Sequence, residues 1–535
     1  MMDAPLTLAQ IANRAEQWMG EATVVSRRPD RSLHRTTYAA VIGRARRLAR
    51  ALIAAGIAPG DRVATLMWNH AEHLEAYFGI PLSGGVLHTL NLRLHPDEIA
   101  FIATDARDRF AIVDCVLLPL FEKVVAAGAK FEKVFVVGEE MAGFTPYEHF
   151  LAGAPDGVGL PVLAEADALG VCYTSGTTGK PKGVVYSHRS TLLHTLVAAL
   201  PDALGIARRD TLLPVVPMFH VNAWGLPYIA AMTGTKLVFP GPYLDPPSVL
   251  DLLASERVTI AAGVPTIWLG IREALDAHPG KWELVHGLRM IVGGSAAPEQ
   301  LIRDFDRLGM RLLHAWGMTE TSPIGSVSRL TPELEAADEA TQYRQRAKQG
   351  LPPPLVELRV VNEAGEVPRD DATSGELQVR GPWIAARYSN GETPDRWTSD
   401  GWFRTGDVAR QDAHGYIQLT DRIADLVKSG GEWIATVELE NALMGHPAVR
   451  EAAVIGVAHP KWSERPLAAV VLKPGASVTA DELRAFIAPK FPKFWLPDDV
   501  VFVDAIPRTS AGKFKKTELR ALLKDHYVSS PRNSP

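Results

Sequence analysis

Residues 173–183 read YTSGTTGKPKG, and this segment decides how the rest of the chain is interpreted. It follows an apolar run at residues 169–173, which predicts the end of a buried strand. Glycines let the backbone approach a ligand closely and turn its N–H groups inward. Hydroxyl side chains donate hydrogen bonds, and lysines supply positive charge. The combination predicts a loop that cradles a polyphosphate.

This phosphate loop is not a Walker A loop. That motif needs Gly-x-x-x-x-Gly-Lys followed by Ser or Thr. Here Pro181 follows Lys180, and Thr174 stands where the first glycine would be. A P-loop phosphotransferase is therefore disfavoured, and the loop must serve a different nucleotide chemistry.

The size and composition of the chain limit its class. A chain of 535 residues is too long for one compact core, so a large part and at least one smaller domain are expected. The hydrophobic fraction of 47% is enough for a sizeable core. A net charge of −5 and the lack of a long basic tract argue against a nucleic-acid partner. With only Cys115 and Cys172, neither a disulfide scaffold nor a zinc site is expected.

The sequence shows no targeting or membrane segment. The first residues, MMDAPLTLAQ, lack a basic start followed by an apolar core, so no signal peptide is expected. Residues 211–235 carry no Asp, Glu, Lys or Arg, but Pro214, Pro217 and Pro227 interrupt them. We interpret them as a buried strand and loops rather than a membrane span. A cytoplasmic protein without integral membrane association is expected.

Apolar spacing predicts the domain organisation. Helical spacing at residues 38–55 is followed by apolar runs of strand length, which recur at residues 62–67, 134–137, 236–239, 259–262 and 289–292. Such alternation predicts an α/β architecture with parallel sheets. Residues 355–380 change to strand-like alternation, which predicts a smaller β-rich subdomain. The residues after 421 carry helix and strand patterns of their own, as expected of a separate domain.

Two further segments carry chemistry suited to a nucleotide. Residues 314–320 read HAWGMTE, in which Trp316 offers a flat face for a base and Glu320 offers a hard oxygen ligand for Mg²⁺. Residues 403–407 read FRTGD, and a carboxylate after a tight glycine turn is suited to accept two ribose hydroxyls.

Two more segments follow near the C-terminus. Residues 421–432 contain DRIAD and SGGE, and residues 507–513 read PRTSAGK. Taken singly, Glu320 could be a helix N-terminal charge, Asp407 a turn cap and Lys513 a solvated lysine. All these segments occur in one chain, after the phosphate loop. Their joint presence argues against purely structural roles for Glu320, Asp407 and Lys513.

In this order the motifs closely resemble those of the adenylate-forming superfamily of acyl-CoA synthetases, adenylation domains and luciferases. The resemblance covers nearly the whole chain. It is closest to fatty acyl-CoA ligases, given SGGEWI at residues 429–434 and PMFHVNAWGLPY at residues 217–228. It implies an α/β fold in which a large N-terminal domain of packed sheets and helices, with the β-rich subdomain, spans residues 1–421. A small mobile α+β C-terminal domain would span residues 422–535, with the active site between the two.

The resemblance also implies a reaction in two steps. A carboxylate attacks the α-phosphate of ATP and gives an acyl-adenylate and pyrophosphate, and the thiol of CoA then displaces AMP. The implied partners are ATP with Mg²⁺, CoA as co-substrate, a small carboxylic acid and a second copy of the chain in a homodimer. In the family the small domain rotates between the steps, and Ala424 stands where the usual hinge residue is Asp or Lys.

The resemblance assigns roles residue by residue. Lys513, Glu320 and Thr319 would be catalytic, and Thr177 and Glu320 would hold Mg²⁺. The acid would contact His220, Trp224 and Gly294. The residues expected to bind the nucleotide or CoA are Thr174, Ser175, Gly176, Thr177, Thr178, Gly179, Lys182, Gly294, Ser295, Ala296, His314, Ala315, Trp316, Gly317, Asp407, Arg422, Gly430, Gly431, Glu432 and Trp433.

The acid itself is less clearly encoded. No cationic residue stands out near residues 220–224, 263–266 or 293–294 to pair with a second carboxylate, so a medium- or long-chain monocarboxylic acid is favoured. A ligase for a short sulfur-containing acid such as 3-methylmercaptopropionate shares every motif and stays open. A stand-alone adenylation enzyme that loads a carrier protein also stays open. Nothing marks the oxidative half of a luciferase, and an intact Lys513 argues against a non-catalytic nucleotide sensor.

Overall fold

The computed structural model describes residues 1–174, 180–391, 393–429, 432–459, 461–508, 513–524 and 526–529. The strands are β1 Thr23–Arg27, β2 Leu33–Thr37, β3 Arg62–Leu66, β4 Val86–Thr89, β5 Asp108–Asp114, β6 Lys133–Val137, β7 Thr145–Pro146, β8 Ala168–Tyr173, β9 Gly183–Ser187, β10 Thr211–Pro214, β11 Lys236–Phe239, β12 Ile260–Gly263, β13 Arg289–Val292, β14 Arg311–Gly317, β15 Ile324–Val327, β16 Glu357–Asn362, β17 Gly365–Glu366, β18 Gly375–Arg380, β19 Phe403–Gln411, β20 Ile417–Arg422, β21 Val427–Ser429, β22 Glu432–Ile434, β23 Val449–His459, β24 Ser463–Leu472 and β25 Asp499–Phe502.

The helical segments are α1 Leu8–Gln17, α2 Tyr38–Ala54, α3 Ala71–Leu82, α4 Pro96–Ala106, α5 Leu118–Ala126, α6 Tyr147–Ala152, α7 His188–Ala198, α8 Val221–Trp224, α9 Leu226–Thr233, α10 Pro246–Ser255, α11 Pro265–Ala277, α12 Glu299–Arg307, α13 Pro332–Glu335, α14 Glu339–Ala347, α15 Thr436–Met444, α16 Ala480–Ile487, α17 Lys516–Leu523 and α18 His526–Ser529.

Two large sheets form the body of the protein. The first sheet has the order β15-β14-β13-β12-β10-β11-β1-β2, and the second has the order β7-β6-β5-β3-β4-β8-β9. Neighbours are parallel through most of each sheet, while β2, β15 and β9 add antiparallel edges. The parallel sheets predicted from the alternating pattern are therefore confirmed.

The largest apolar core lies where these two sheets meet. It combines Val24 and Leu237 from the first sheet with Val63 and Phe110 from the second. Helix α3 runs through it with every residue buried, and its polar side chains are paired there: Glu72 with Arg28 and Glu75 with Arg44. This packing fixes the orientation of the two sheets and of the strand ends that carry the site.

Two smaller units complete the fold. The β-rich subdomain is the antiparallel sheet β17-β16-β18-β19-β20. The small C-terminal domain is the sheet β22-β21-β24-β23, with β25 paired to β24 and helices such as α15 and α16 packed against it. The predicted fold class, a large α/β domain with a β-rich subdomain and a small α+β domain, is confirmed.

The structure corrects the interpretation of residues 211–235 as a strand and loops. Strand β10 is present, but helix α9 occupies much of the segment that was expected to be loop. Pro227 sits in the first turn of α9, where the missing N–H costs no intrahelical hydrogen bond.

None of the helices within the described ranges is long and apolar enough to cross a membrane.

Candidate active site

The phosphate loop joins two antiparallel strands. Tyr173 at the end of β8 pairs with Gly183 at the start of β9, so the loop leaves and returns at one edge of the second sheet. Its base is closed by Thr174, whose N–H donates to the Lys182 carbonyl at 2.9 Å and whose hydroxyl accepts from the Lys182 N–H at 3.1 Å. The predicted ligands Ser175, Gly176, Thr177, Thr178 and Gly179 lie outside the described residues.

The carboxyl ends of three parallel strands of the first sheet open onto the same cavity. Val264 follows β12, Gly293 and Gly294 follow β13, and Ala315, Trp316 and Gly317 end β14. Ligands of open α/β sheets bind at this end of the strands. Only glycine fits at position 317, because a Cβ there would lie 1.7 Å from the Pro323 carbonyl oxygen.

A buried carboxylate links β14 to the β-rich subdomain. The indole Nε1 of Trp316 donates to Asp407 Oδ2 at 3.0 Å, and Arg422 Nε lies 3.3 Å from Asp407 Oδ1. Asp407 on β19 and Arg422 on β20 are directly paired across the two strands. Within β19, Gly406 precedes Asp407 at a φ of +74°, a conformation that glycine adopts without strain. The contacts fix the rim of the cavity on which a nucleoside could rest.

Glu320 lines the same cavity as Lys182. It is 5% exposed and accepts a hydrogen bond from the Tyr388 hydroxyl at 2.6 Å. The Lys182 ammonium lies 5.1 Å from the centre of the Tyr388 ring and donates to the Thr393 hydroxyl at 3.3 Å. A carboxylate and a cation are therefore held near each other, as a metal–phosphate complex requires.

Lys513 comes from the small domain and enters the same cavity. Its Cε lies 3.8 Å from the position that a Cβ on Gly294 would take. Burial of the ammonium group, together with the nearby Arg422, lowers the pKa of Lys513 to about 8. His220 lines the cavity as well, and burial, with Lys513 and Arg93 nearby, lowers the pKa of His220 to about 4. At neutral pH the imidazole is uncharged beside a lysine that is largely charged.

The apolar part of the cavity is built on an unusual backbone. The four residues of α8 have φ values from +46° to +59°, so this segment is a left-handed turn. Left-handed backbone costs L-residues roughly 1–2 kcal/mol each. Val221, Asn222 and Ala223 are buried, and Asn222 accepts a weak hydrogen bond from the Cys172 thiol at 3.3 Å. The turn directs Trp224 into the cavity, where its ring edge is 3.3 Å from the position of a Cβ on Gly293.

The cavity has a volume of about 560 Å³ and brings most of the predicted site together. The predicted residues that line it are Thr174, Lys182, His220, Trp224, Gly294, Ala315, Trp316, Gly317, Thr319, Glu320, Asp407, Arg422 and Lys513. These residues are far apart in the sequence: more than 300 positions separate Thr174 from Lys513. One cavity therefore offers cations, hydroxyls, a carboxylate and an apolar wall to a single ligand.

Other predicted residues do not line this cavity. His314 is buried behind it, its Nδ1 3.0 Å from the Ala347 carbonyl oxygen, and burial lowers the pKa of His314 to about 4. Ser295 and Ala296 follow Gly294 but lie off the lining, and Trp433 lies on β22 of the small domain. Glu432 is the first residue of the same strand, and its side chain lies outside the described part of the structure. Trp433 is 54% exposed, and Gly430 and Gly431 lie outside the described residues.

Several lining residues were missed at the sequence level. They are Tyr388 and Arg396 from or near the β-rich subdomain, and Leu204, Ile291 and Ile324 from the apolar wall. Arg396 donates to the Thr405 carbonyl of β19 at 2.9 Å, two residues before Asp407. The sequence gives no signal for these residues, because each acts through a fold contact rather than through a local motif.

The donor set fits a magnesium ion that is held mainly by phosphates. Across the described ranges, no group of three or more His, Cys, Asp or Glu side chains could hold a metal ion. Mg²⁺ commonly uses one or two carboxylates together with substrate phosphates and water, so the single carboxylate Glu320, in the same cavity as Lys182, fits this role. Thr177, the other predicted ligand, lies outside the described residues.

Comparisons with known proteins agree with this geometry. A family model for AMP-binding enzymes matches residues 11–389, and a model for the C-terminal domain of AMP-binding enzymes matches residues 438–513. The chain is 49% identical over 533 residues to a long-chain-fatty-acid–CoA ligase of Thermus thermophilus, covering 98% of this chain and 97% of the relative. It is 43% identical to a 3-methylmercaptopropionyl-CoA ligase of Ruegeria pomeroyi, covering 98% of each chain.

Solved structures show the same fold. ATP-bound MatB from Rhodopseudomonas palustris superimposes with a TM-score of 0.82 at 27% identity, over 98% of this chain and all of the other. The matched families and relatives extend over both domains that border the cavity. The chain therefore belongs to the family of AMP-binding enzymes and is an AMP-forming acid–thiol ligase.

Proposed function

We propose that this enzyme activates a medium- or long-chain monocarboxylic acid with ATP and transfers it to CoA. In the first step a carboxylate oxygen bonds to the α-phosphorus, and the bond from that phosphorus to the pyrophosphate oxygen breaks. In the second step the CoA sulfur bonds to the acyl carbon, and AMP leaves with the electron pair of the C–O bond. The observation that carries the proposal is that the Lys513 ammonium shares one cavity with Trp316, Asp407 and an apolar wall.

The roles of the side chains follow from charge. A carboxylate and a triphosphate repel each other, so fixed positive groups must hold them in line and stabilise the charge that develops at the α-phosphate. Lys182 lies at the base of the phosphate loop, and Lys513 would bridge the acid carboxylate and the α-phosphate. Asp407 would accept hydrogen bonds from the ribose hydroxyls, while Trp316 holds that carboxylate in place. Mg²⁺, when bound at Glu320, would neutralise phosphate charge.

Exchange of labelled pyrophosphate into ATP tests the proposal. The purified enzyme is incubated with ATP, Mg²⁺ and a series of straight-chain acids, and thioester formation is then measured with CoA and with a carrier protein. We expect exchange with medium- or long-chain acids and thioester formation with CoA. Absence of exchange with every acid would contradict the proposal, and transfer only to the carrier would identify a stand-alone adenylation enzyme.

A short sulfur-containing acid is the second candidate. The relative from Ruegeria pomeroyi acts, by its name, on 3-methylmercaptopropionate, and the edge of the Trp224 ring narrows the cavity at Gly293. A thioether is apolar enough to contact Val264, Ile291 and Ile324. Including 3-methylmercaptopropionate in the acid series distinguishes the two candidates by their kcat/KM values.

Replacing Trp224 with alanine is expected to shift the preference toward longer acids by about tenfold, since extra methylenes could then be buried where the ring lies. Each buried methylene contributes about 0.8 kcal/mol. Alanine keeps a Cβ, so the cost of the left-handed backbone at this position is largely retained. The measurement is kcat/KM over the acid series. Trp224→Phe is the control and should change the dependence of kcat/KM on chain length less. If Trp224→Ala left this dependence unchanged, Trp224 would not line the acyl pocket.

The first step is expected to lose rate in alkaline solution. The proposed role needs the ammonium form of Lys513, and its lowered pKa means that this form is lost as the pH rises through about 8. We expect kcat/KM for pyrophosphate exchange, which reports the free enzyme, to be level below that pH and to fall above it. Lys513→Arg should lack the decline at whatever rate it retains, because a guanidinium does not titrate in this range. A decline that persists in Lys513→Arg would assign it to another group.

The domain boundary is proposed at residue 421, between Asp421 and Arg422 on β20. This position lies one residue before the end of β20, the last strand of the β-rich subdomain. It precedes the turn formed by residues 422–425, in which the Asp425 N–H donates to the Arg422 carbonyl at 2.8 Å. Ala424 lies in that turn and lines the cavity, which keeps it as the proposed hinge.

A further inference from the structure

A buried polar cluster lies outside the cavity, where the small domain meets the β-rich subdomain. Its members are Asp421, Thr436, Glu440 and Lys516, each at most 8% exposed. Asp421 Oδ2 accepts from the Thr436 N–H at 2.5 Å and from the Thr436 hydroxyl at 2.7 Å. The Lys516 ammonium donates to the Thr436 hydroxyl at 2.6 Å and contacts Glu440 Oε1 at 2.7 Å. The described side chains form one continuous chain of hydrogen bonds.

The cluster connects the two parts of the proposed active site. Asp421 neighbours Arg422 on β20 and pairs with Val408, the residue after Asp407 on β19. Thr436 and Glu440 lie on α15, and the Glu440 carboxylate also accepts from the Val454 N–H of β23 at 2.8 Å. Lys516 is the first residue of α17, three positions after Lys513. The cluster therefore joins the strands that carry the nucleotide carboxylate to the segment that carries the lysine.

The other side of the Lys513 segment is also tied down. The Lys515 N–H donates to the Pro507 carbonyl at 2.7 Å, and Arg508 and Phe514 form an isolated β-bridge. Arg508 pairs in turn with Glu451 on β23 at 2.8 Å. These contacts hold the residues that flank Lys513 against β23 and the segment before it. Toward β20, the described contacts of α17 are those of Lys516 and the pair between Arg520 and Asp425 at 2.9 Å.

The charge state of Lys516 supports this dependence. Burial alone would lower the pKa of Lys516, but Glu440 and Asp421 hold it above its usual value. Lys516 is therefore an ammonium ion at neutral pH, and removing its charge changes the hydrogen bonding of both carboxylates. Misplacement of a reacting group by about 1 Å can cost on the order of 10²-fold in rate.

We infer that Lys516 is a positioning residue for acyl-adenylate formation: its bonds to Thr436 and Glu440 fix the Lys513 segment against β20, so that the Lys513 ammonium reaches the α-phosphate. Lys516 itself lies off the cavity lining. The inference rests on the proposed role of Lys513 in the first step.

The test measures both half-reactions in the full-length enzyme. Lys516→Met removes the charge and keeps much of the length, and Lys516→Met combined with Glu440→Gln avoids leaving an unpaired buried carboxylate. We expect pyrophosphate exchange to fall about tenfold to 10²-fold in both, while ATP affinity and thioester formation from preformed acyl-adenylate stay within about twofold. Lys516→Arg should recover part of the exchange rate. The control His526→Gln breaks a pair with Asp499 in the same domain and should change neither half-reaction.

A coupling measurement separates positioning from a general loss of structure. If Lys516 acts through Lys513, Lys513→Ala combined with Lys516→Met should exchange pyrophosphate no more slowly than Lys513→Ala alone. Equal losses in both half-reactions, accompanied by a lower unfolding midpoint, would overturn the inference, as would an unchanged exchange rate in the Lys516 variants. If Lys513→Ala itself retains full exchange, the proposed role of Lys513 fails instead.

Discussion

Replacing Lys513 with alanine is expected to slow acyl-adenylate formation by about 10²–10³, the usual loss when one preorganised electrostatic group is removed from an enclosed site. Thioester formation from preformed acyl-adenylate should keep most of its rate, because that step no longer joins two anions. The structure supports the expectation because Lys513 lies in the cavity beside Gly294, where it interacts electrostatically with Arg422 and Asp407. The two half-reactions are measured separately, by pyrophosphate exchange and by release of AMP on addition of CoA.

Lys515→Ala is the matched control for this prediction. Lys515 is two residues away and exposed, its ammonium lies 3.4 Å from Glu518, and its link to Pro507 uses only the backbone N–H. Both half-reactions should stay near the wild-type rate in this variant. If Lys513→Ala slowed the two half-reactions equally, the assignment of Lys513 to the first step would be wrong.

Replacing Glu320 with glutamine is expected to reduce pyrophosphate exchange by about 10²-fold or more and to raise the Mg²⁺ concentration needed for half the maximal rate. Glutamine keeps the shape of the side chain and an oxygen that can accept from the Tyr388 hydroxyl. The variant therefore removes mainly the negative charge, which is the property that a magnesium site requires. The measurement is a titration of the exchange rate with Mg²⁺ at saturating ATP.

Two variants help to interpret that titration. Tyr388→Phe removes only the hydrogen bond to Glu320 and is expected to cost less than tenfold. Glu376→Gln neutralises another carboxylate on the cavity lining, one that pairs with Arg404 at 2.8 Å, and should leave the Mg²⁺ dependence unchanged. An identical shift in Glu376→Gln would mean that the general charge of the cavity, rather than Glu320, sets the metal requirement.

Much of the scaffold could be predicted from apolar spacing. The runs at residues 236–239 and 289–292 are strands β11 and β13 with the predicted bounds, and the helix predicted at residues 38–55 is α2. These segments are buried parallel strands and an amphipathic helix, for which burial imposes a clear pattern on the sequence. The left-handed turn α8 escaped prediction because tertiary packing, not propensity, selects a left-handed backbone for Val221 and Trp224.

From sequence alone, the glycines, hydroxyls and lysines of one short loop indicated a polyphosphate site. The acid ligase itself was implied by the resemblance of the ordered motifs to those of a known superfamily. Only the tertiary structure decided which of those residues meet. Trp316 reaches Asp407 across 91 positions, Tyr388 reaches Glu320 across 68, and Lys513 arrives from another domain. Such contacts depend on how the sheets pack and on how β20 leads into the small domain, and local patterns carry no record of long-range packing.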